Sequence, residues 1–419
     1  MKTLQINAFY KDGSTGRIVE RLIDRQKKEG IDAYAIYWHG IQKTDDSQNI
    51  IYTGNNKPFN FIRAAVLYIL FGGRIDRNPE ISKKIVDSIK KINPDIIHLH
   101  NLHGSFDLDS IDIVILFDYF KKINIPILWT FHDINPITGR CYHFEYKECS
   151  KWQHGCIRCP QRFFDREGVL VDRTKKNWLA KKKAFDAIKE LRVVAISNWV
   201  KLCVQQSYLK NRKIDVIYNG IDIDVFKEDK RKETREKIGI ENKFAILAIT
   251  WTRRKGANNY IKLAKMLRDD EVLVVVGNRP PLRRLRRLPA NIISIPTINN
   301  EQQMAQVYSA CDVYFNSSAA ETFGLTTAEA LSCGTPVVGY NSTATPEIIG
   351  TDGSCGFVAQ KGNLNEAYEK MLEIKRDGRS ARAESCRKKA CSMFDVNTHL
   401  NHHIELYKEI FYSIIPHQA

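Results

Sequence analysis

No apolar run in the sequence is long enough to cross a bilayer. The most apolar stretch, AAVLYILFGG at 64–73, is about half of the roughly 20 residues a spanning helix needs. Arg63 and Arg74 border it, so it reads as a buried core helix or as a helix lying on a membrane surface. The first residues, MKTLQINAFY, have the pattern of a strand and lack the apolar core and small-residue cleavage site of a signal peptide. The expectation is a cytoplasmic chain, with peripheral contact on the cytoplasmic face of an anionic membrane left open. Repeats of solenoid period and low-complexity linkers are also missing, which excludes repeat arrays and long disordered tethers. Acidic residues are in deficit: 48 Asp and Glu against 64 Lys and Arg leave a net charge of +16 and a pI near 9.3. Such a balance points to an anionic partner, whether nucleic acid, membrane or a phosphorylated small molecule.

What is present is ordinary for a globular protein, with 43% hydrophobic and 27% charged residues. At 419 residues the chain exceeds one core, so two domains of roughly 200 residues are expected. Short apolar runs such as DIIHLHN, PILWTFHD, FAILAIT, EVLVVVG and DVYFNSS alternate with helical patterns such as GRIVERLIDRQKKEG. Strands alternating with helices predict parallel sheets built from βαβ units. They fall into two sets, predicting an α/β protein of two doubly wound, Rossmann-like domains at 1–215 and 216–395. A C-terminal helix at 396–419 is expected to pack back across both. Ligands of such sheets bind beyond the carboxyl ends of the strands, so a cleft between the domains is the expected site.

The stretch SSAAETFGLTTAEALSCGTPVV sets Glu321 and Glu329 around a glycine at a predicted strand-to-helix junction. There the Phe323, Gly324 and Leu325 amides would present unpaired N–H groups suited to a phosphate. A capping box, Thr326-x-x-Glu329, is the plainer reading of Glu329, and a solvated loop carboxylate that of Glu321. Upstream, RRKG at 253–256 offers Arg254 and Lys255 beside a glycine, and KDGSTGRIVERL at 11–22 offers Gly13 and Gly16 as a loop able to approach phosphates.

The spacing Glu321-x7-Glu329, with ETFG and CGTPVV, resembles the signature of retaining GT-B glycosyltransferases of the family 4 type. VIYNGIDIDVF, RRKG and TPEIIG are similar to further segments of that family, in its order. The resemblance implies a GT-B fold and an enzyme, a hexosyltransferase using a UDP- or GDP-sugar donor. The acceptor would be a saccharide or a lipid-linked glycan in cell-surface polysaccharide synthesis such as lipopolysaccharide or capsule. It assigns Glu321 to the donor sugar's hydroxyls, Glu329 to the ribose, and Lys255 with Arg254 to the diphosphate. Gly16 would approach the donor phosphates, and His132 in WTFHD would contact the sugar near the reacting carbon. No metal is implied for the donor, since those cations replace one.

A second constellation is Cys141, Cys149, Cys156 and Cys159, spaced C-x7-C-x6-C-x2-C. Four thiols in a polar loop with few aliphatic anchors read as a structural zinc site, with a CxxC redox pair as the other reading. A subset of the resembled family, similar in HDINPITGRC, carries such a cluster. Two rival functions stand beside transfer: a nucleotide-sugar epimerase of the same fold and a zinc-containing nucleic-acid-binding protein. Basic residues are dispersed outside PPLRRLRRLP, and no nucleic-acid module is recognisable, so nucleic acid is not the expected partner.

Overall fold

The computed structural model describes residues 1–40, 49–54, 78–103, 111–163, 169–277 and 288–414, with Val66 and Leu70 as isolated positions. The rest of the 59–74 segment and most of PPLRRLRRLP lie outside the described residues. Two units divide the chain: residues 1–217 with 400–419, and residues 218–399.

The first unit opens with β1 (Lys2–Ile6) and α1 (Gly13–Lys28), then β2 (Asp32–Tyr37), β3 (Ile50–Tyr52), α2 (Pro79–Ile92) and β4 (Ile96–Leu99). It continues through α3 (Ile113–Phe120), β5 (Ile127–Phe131), α4 (Thr174–Asp186), β6 (Leu191–Ala195), α5 (Asn198–Gln205) and β7 (Lys213–Val216). All seven strands form one parallel sheet in the order β3-β2-β1-β4-β5-β6-β7. Central strands such as β4 and β5 are buried at every residue, as a sheet covered on both faces requires. Helix α1 explains one covering layer: Ile18, Val19, Leu22 and Ile23 recur at helical spacing and turn inward. Strand order reverses between β1 and β4, which makes their carboxyl ends a topological switch point.

The second unit holds α6 (Arg231–Ile238), β8 (Phe244–Ile249), α7 (Ala257–Ala264), β9 (Glu271–Val276), β10 (Ile292–Ile295), α8 (Glu301–Ala310) and β11 (Val313–Asn316). There follow α9 (Leu325–Ser332), β12 (Val337–Tyr340), α10 (Thr345–Ile349), β13 (Gly356–Ala359), α11 (Leu364–Asp377) and α12 (Ser380–Met393). Its six strands are again parallel, ordered β10-β9-β8-β11-β12-β13, so the reversal falls between β8 and β11. Strand β9, EVLVVV, is buried throughout, and its Leu273 and Val275 pack in one core with Ile246, Phe315 and Met371.

A final helix, α13 (Val396–Ile414), starts in the second unit, where the His399 ring bonds Tyr218 O at 2.7 Å. From residue 400 onward it belongs to the first unit. Ile404, Leu406, Tyr407 and Ile410 pack against Ile31, Ile96, Leu128 and Val194. Burying each such side chain stabilises by about 1.5–3 kcal/mol as an upper range. Glu409 on the same helix ion-pairs with Arg192 at 2.9 Å and Lys213 at 2.8 Å.

Candidate functional site

The switch point of the second sheet gathers the polar residues that the sequence singles out. After β8 the chain turns at Thr250, a non-glycine residue at φ 63°, and passes through a short 3-10 turn, Arg253–Lys255, into α7. Gly256 stands at φ 85°, and a Cβ there would lie 2.2 Å from Ser317 Oγ. This glycine is therefore required twice, by its backbone angle and by the approach of the loop beyond β11. The Lys255 carbonyl accepts from Ser317 Oγ at 2.8 Å and from Tyr260 OH at 3.0 Å. So held, Lys255 extends its ammonium to the Glu321 carboxylate, and the two form an ion pair.

Glu321 is 9% exposed, which replaces the solvated-loop reading with that of a buried, partnered carboxylate. Its amide donates to Thr343 Oγ1 at 2.8 Å and its carbonyl accepts from Ala344 N at 3.1 Å. Thr343 sits at φ 53°, so a second left-handed threonine supports the site. Non-glycine residues in that region carry a conformational cost and collect where function demands it. Helix α9 then begins at Leu325 with Gly324 as N-cap at φ 96° and no side-chain cap. Its N-terminal amides and the positive end of its dipole lie at the carboxyl end of β11, a place suited to an anion. Phe323 is buried, its ring packed with Tyr218 and Phe394 at 6.1 and 5.5 Å, and so pins the loop.

The capping-box reading of Glu329 fails on geometry. Thr326 lies inside the helix, its hydroxyl bonded to Tyr314 OH at 3.0 Å, while Glu329 Oε2 accepts from Tyr308 OH at 2.8 Å. Burial, then the Glu329 charge, push the Tyr308 hydroxyl well above its ordinary value, so it stays a donor. Arg254 is exposed beside Lys255. Tyr308, Thr343 and Ser317 are missed by the sequence analysis. Tyr308 sits on α8, and only the tertiary fold brings it to Glu329; the polar NSS after a strand is a faint signal for Ser317.

His132 and Gly16 belong to the first unit. His132 follows β5, is 8% exposed, and its Nε2 lies 3.0 Å from His100 Nδ1. His100 Nε2 meets Gln5 Oε1 at 2.9 Å, and Gln5 donates to Tyr407 OH at 3.1 Å. Next to it, burial raises the Asp133 carboxyl, but the charge and hydrogen bond of His103, 3.0 Å away, and the Asn135 amide outweigh this and leave it below the usual carboxylate range. Gly16 lies in the first turn of α1, where a Cβ would press on Lys11 N at 3.2 Å, so close packing of helix and loop explains it locally.

The four cysteines line one small cavity of about 20 Å³, together with Phe144 and Trp152. Burial pushes the Cys156 thiol up to about 11, against the Gly139 amide that donates to its sulfur at 3.2 Å. Among the described residues no group of three or more His, Cys, Asp or Glu is arranged to hold a metal ion. The loop has few aliphatic anchors, as expected, but the inference that burial alone cannot hold it is corrected: its anchors are aromatic. Phe144 and Trp152 are buried and stacked at 4.8 Å, and Trp178 Nε1 donates to Trp152 O at 2.9 Å. Buried Lys181 adds three bonds, to Asn135 O at 2.7 Å, Asn135 Oδ1 at 2.8 Å and Thr138 O at 3.2 Å.

Two family profiles match this chain: Glycosyltransferase Family 4 over residues 15–225 and Glycosyl transferases group 1 over residues 230–393. The chain belongs to glycosyltransferase family 4. It is thus a transferase enzyme, and glycosyl transfer displaces the epimerase and nucleic-acid readings that the sequence left open. WcaC of Escherichia coli, a glycosyl transferase assigned to colanic acid biosynthesis, is 24% identical over 84% of this chain and 86% of its own. A 41.2 kDa protein of the cps region of Klebsiella pneumoniae is 23% identical over 77% and 81%. Among solved structures, sucrose-phosphate synthase of Thermosynechococcus elongatus superposes with a TM-score of 0.73 at 15% identity, covering 98% of this chain and 99% of that one. Anabaena HepE in complex with UDP gives 0.68 at 18%, covering 98% and 100%. These likenesses establish the fold of this glycosyltransferase as GT-B, two parallel-sheet α/β domains. No described helix is long and apolar enough to cross a membrane.

Proposed function

We propose that this family 4 enzyme transfers a hexosyl group, with retention of configuration, from a UDP- or GDP-sugar to a saccharide acceptor. In this reading the acceptor is lipid-linked and the product a cell-surface polysaccharide, in keeping with the colanic acid and cps assignments of its relatives. The observation that carries it is the Lys255–Glu321 pair at the β8/β11 switch point, next to the uncapped start of α9. A nucleoside diphosphate sugar offers matching chemistry at each end. Glu321 accepts from sugar hydroxyls and Glu329 from the ribose, because a carboxylate's two oxygens take two donors together. Lys255, Arg254 and the amides of Phe323, Gly324 and Leu325 face the diphosphate. The acceptor hydroxyl attacks the anomeric carbon from the face the diphosphate leaves, and its proton passes to the departing phosphate oxygen. Stabilising the charge that grows on that oxygen is the main catalytic contribution. The family resemblance assigns His132 a contact with the donor sugar and Gly16 an approach to the donor phosphates, and this reading keeps both roles. The test is a panel of UDP- and GDP-hexoses with donor and product anomers followed by NMR. One donor should be consumed and its anomeric configuration kept; no turnover of any donor, or inversion, contradicts the reading.

We infer further that Cys141, Cys149, Cys156 and Cys159 bind one structural Zn²⁺. What supports the reading is that the four thiols line one cavity and make an all-sulfur donor set; as they stand they are not grouped for coordination, so binding would have to draw the sulfurs together. The ion would tie the 139–160 loop, adding to its aromatic anchors.

A further inference from the structure

The buried strands β1, β4 and β5 carry a polar row on one face. Gln5 stands opposite His98 in the β1/β4 register, His98 and His100 are two residues apart, and so are Thr130 and His132 at the end of β5. Strand alternation therefore turns them to a common side, where α13 adds Tyr407. Gln5, His98, His100, Thr130 and Tyr407 are each 2% exposed or less. At that depth an unmade hydrogen bond is costly, so the direction of one bond fixes the next.

Gln5 sets the direction. Its Nε2 has two oxygens to donate to, Tyr407 OH at 3.1 Å and Gln26 Oε1 at 3.4 Å, which leaves its Oε1 to accept from His100 Nε2 at 2.9 Å. His100 thus carries its proton on Nε2, and its bare Nδ1 accepts from His132 Nε2 at 3.0 Å. On the other side of Gln5, burial pushes the Tyr407 hydroxyl above its ordinary value, so it keeps its proton. Accepting from Gln5, it donates to His98 Nδ1 at 2.6 Å, and His98 Nε2 donates to Thr130 Oγ1 at 2.7 Å. All three imidazoles hold a proton on Nε2.

We propose that Gln5 and His100 are positioning residues for glycosyl transfer, locking His132 as its Nε2–H tautomer so that it meets a ligand through Nδ1, as a hydrogen-bond acceptor. Which nitrogen of an imidazole is free to act is set by the bond the other makes, and here that bond runs through two residues that touch no ligand. A hydroxyl of the donor sugar is the matching partner, because it has a proton to give. The catalytic sense of the relay rests on the proposed contact between His132 and the sugar, whereas the tautomer itself does not.

The experiment has two arms. Imidazole nitrogen shifts, read by NMR on the histidine-labelled full chain without donor or acceptor, should show His132 protonated on Nε2 and bare on Nδ1. In the second arm, His100→Leu should lower kcat/KM for the nucleotide sugar on the order of tenfold while affinity for free UDP or GDP stays unchanged. His100→Asn is of similar size, and its Oδ1 stands where Nδ1 stood, so it should recover most of that loss at a similar melting temperature. A neutral His132 with its proton on Nδ1, or equal losses in His100→Leu and His100→Asn, overturns the proposal. Unchanged kcat/KM in His132→Ala strikes the sugar contact from the proposed function and the positioning role with it. The tautomer spectrum, read without substrate, separates that result from failure of the relay.

Discussion

Lys255 and Glu321, 66 residues apart, form a partly buried ion pair across the switch point of the second sheet, with side chains 24% and 11% exposed. Removing either partner leaves the other poorly solvated, so single substitutions carry a cost that the pair as a whole does not. In the proposed reading, a nucleotide-sugar donor would share or replace that contact, its phosphates competing for the ammonium and its hydroxyls for the carboxylate. A double-mutant cycle on stability should return a coupling of about 0.5–3 kcal/mol between Lys255 and Glu321, measured by denaturant unfolding of the two alanine variants and their combination. Strict additivity would show that the contact is incidental.

Gly256→Ala should damage the enzyme by two routes. The new methyl meets Ser317 Oγ at 2.2 Å and Ser317 O at 2.5 Å, and the residue must keep a φ of 85°. A lowered melting temperature is expected, with activity falling further than stability alone explains because the Lys255 peptide is displaced. Full activity in the alanine variant would remove the close approach from the account.

Glu329→Gln tests the ribose assignment against a capping role. Helix α9 is capped by no side chain, so helix stability should change little, while nucleotide affinity drops as one strong acceptor is lost. Tyr308→Phe removes the donor held 2.8 Å from Glu329 and should cost about 1 kcal/mol of stability, with a smaller effect on nucleotide binding. Isothermal titration with UDP and GDP, paired with thermal melts, separates the two.

An acid-sensitive contribution to stability should come from His39, whose ring stacks on Phe9 at 4.8 Å. Burial and then the charge of His103 lower it from 6.5 to about 4. Between those values the unfolded chain binds the proton and the folded chain does not, so stability is full above about pH 6.5 and falls as pH drops toward 4. His39→Gln should flatten that limb of the melting curve against pH; an unchanged slope assigns it to other groups.

Zinc is tested by metal analysis of purified protein. About one equivalent is expected, bound by four sulfur atoms at roughly 2.3 Å, and its removal should loosen the 139–160 loop before it affects nucleotide binding. Metal-free protein with four intact thiols and full activity contradicts the site, and a Cys156–Cys159 disulfide that cycles with redox state favours the CxxC reading.

The α/β class was legible because parallel strands buried on both faces spell themselves as runs such as EVLVVV, and α1 shows its inward stripe in sequence. Motif order brought Lys255 and Glu321 to notice, but nothing local says that their side chains touch. The capping-box reading of Thr326 and Glu329 illustrates the limit. Local spacing was right for a cap, yet the chain had already entered the helix at Leu325, and a tyrosine from another helix had claimed the carboxylate. The cysteine loop was misjudged by counting aliphatic residues, when Phe144, Trp152 and Trp178 supply its anchors. Contacts between residues far apart in sequence leave no periodicity to read.

The most direct test of the account is a paired measurement on Lys255→Ala and Glu321→Ala: affinity for the free nucleotide diphosphate and turnover of the intact nucleotide sugar. Lys255→Ala should weaken nucleotide binding and lower turnover on the order of 100-fold or more, because it removes charge stabilisation at the leaving diphosphate. Glu321→Ala should lower turnover strongly while leaving affinity for the free nucleotide near that of wild type. Turnover and nucleotide affinity unchanged in Lys255→Ala, or equal weakening of nucleotide and sugar nucleotide in Glu321→Ala, would contradict the placement of the donor at this switch point.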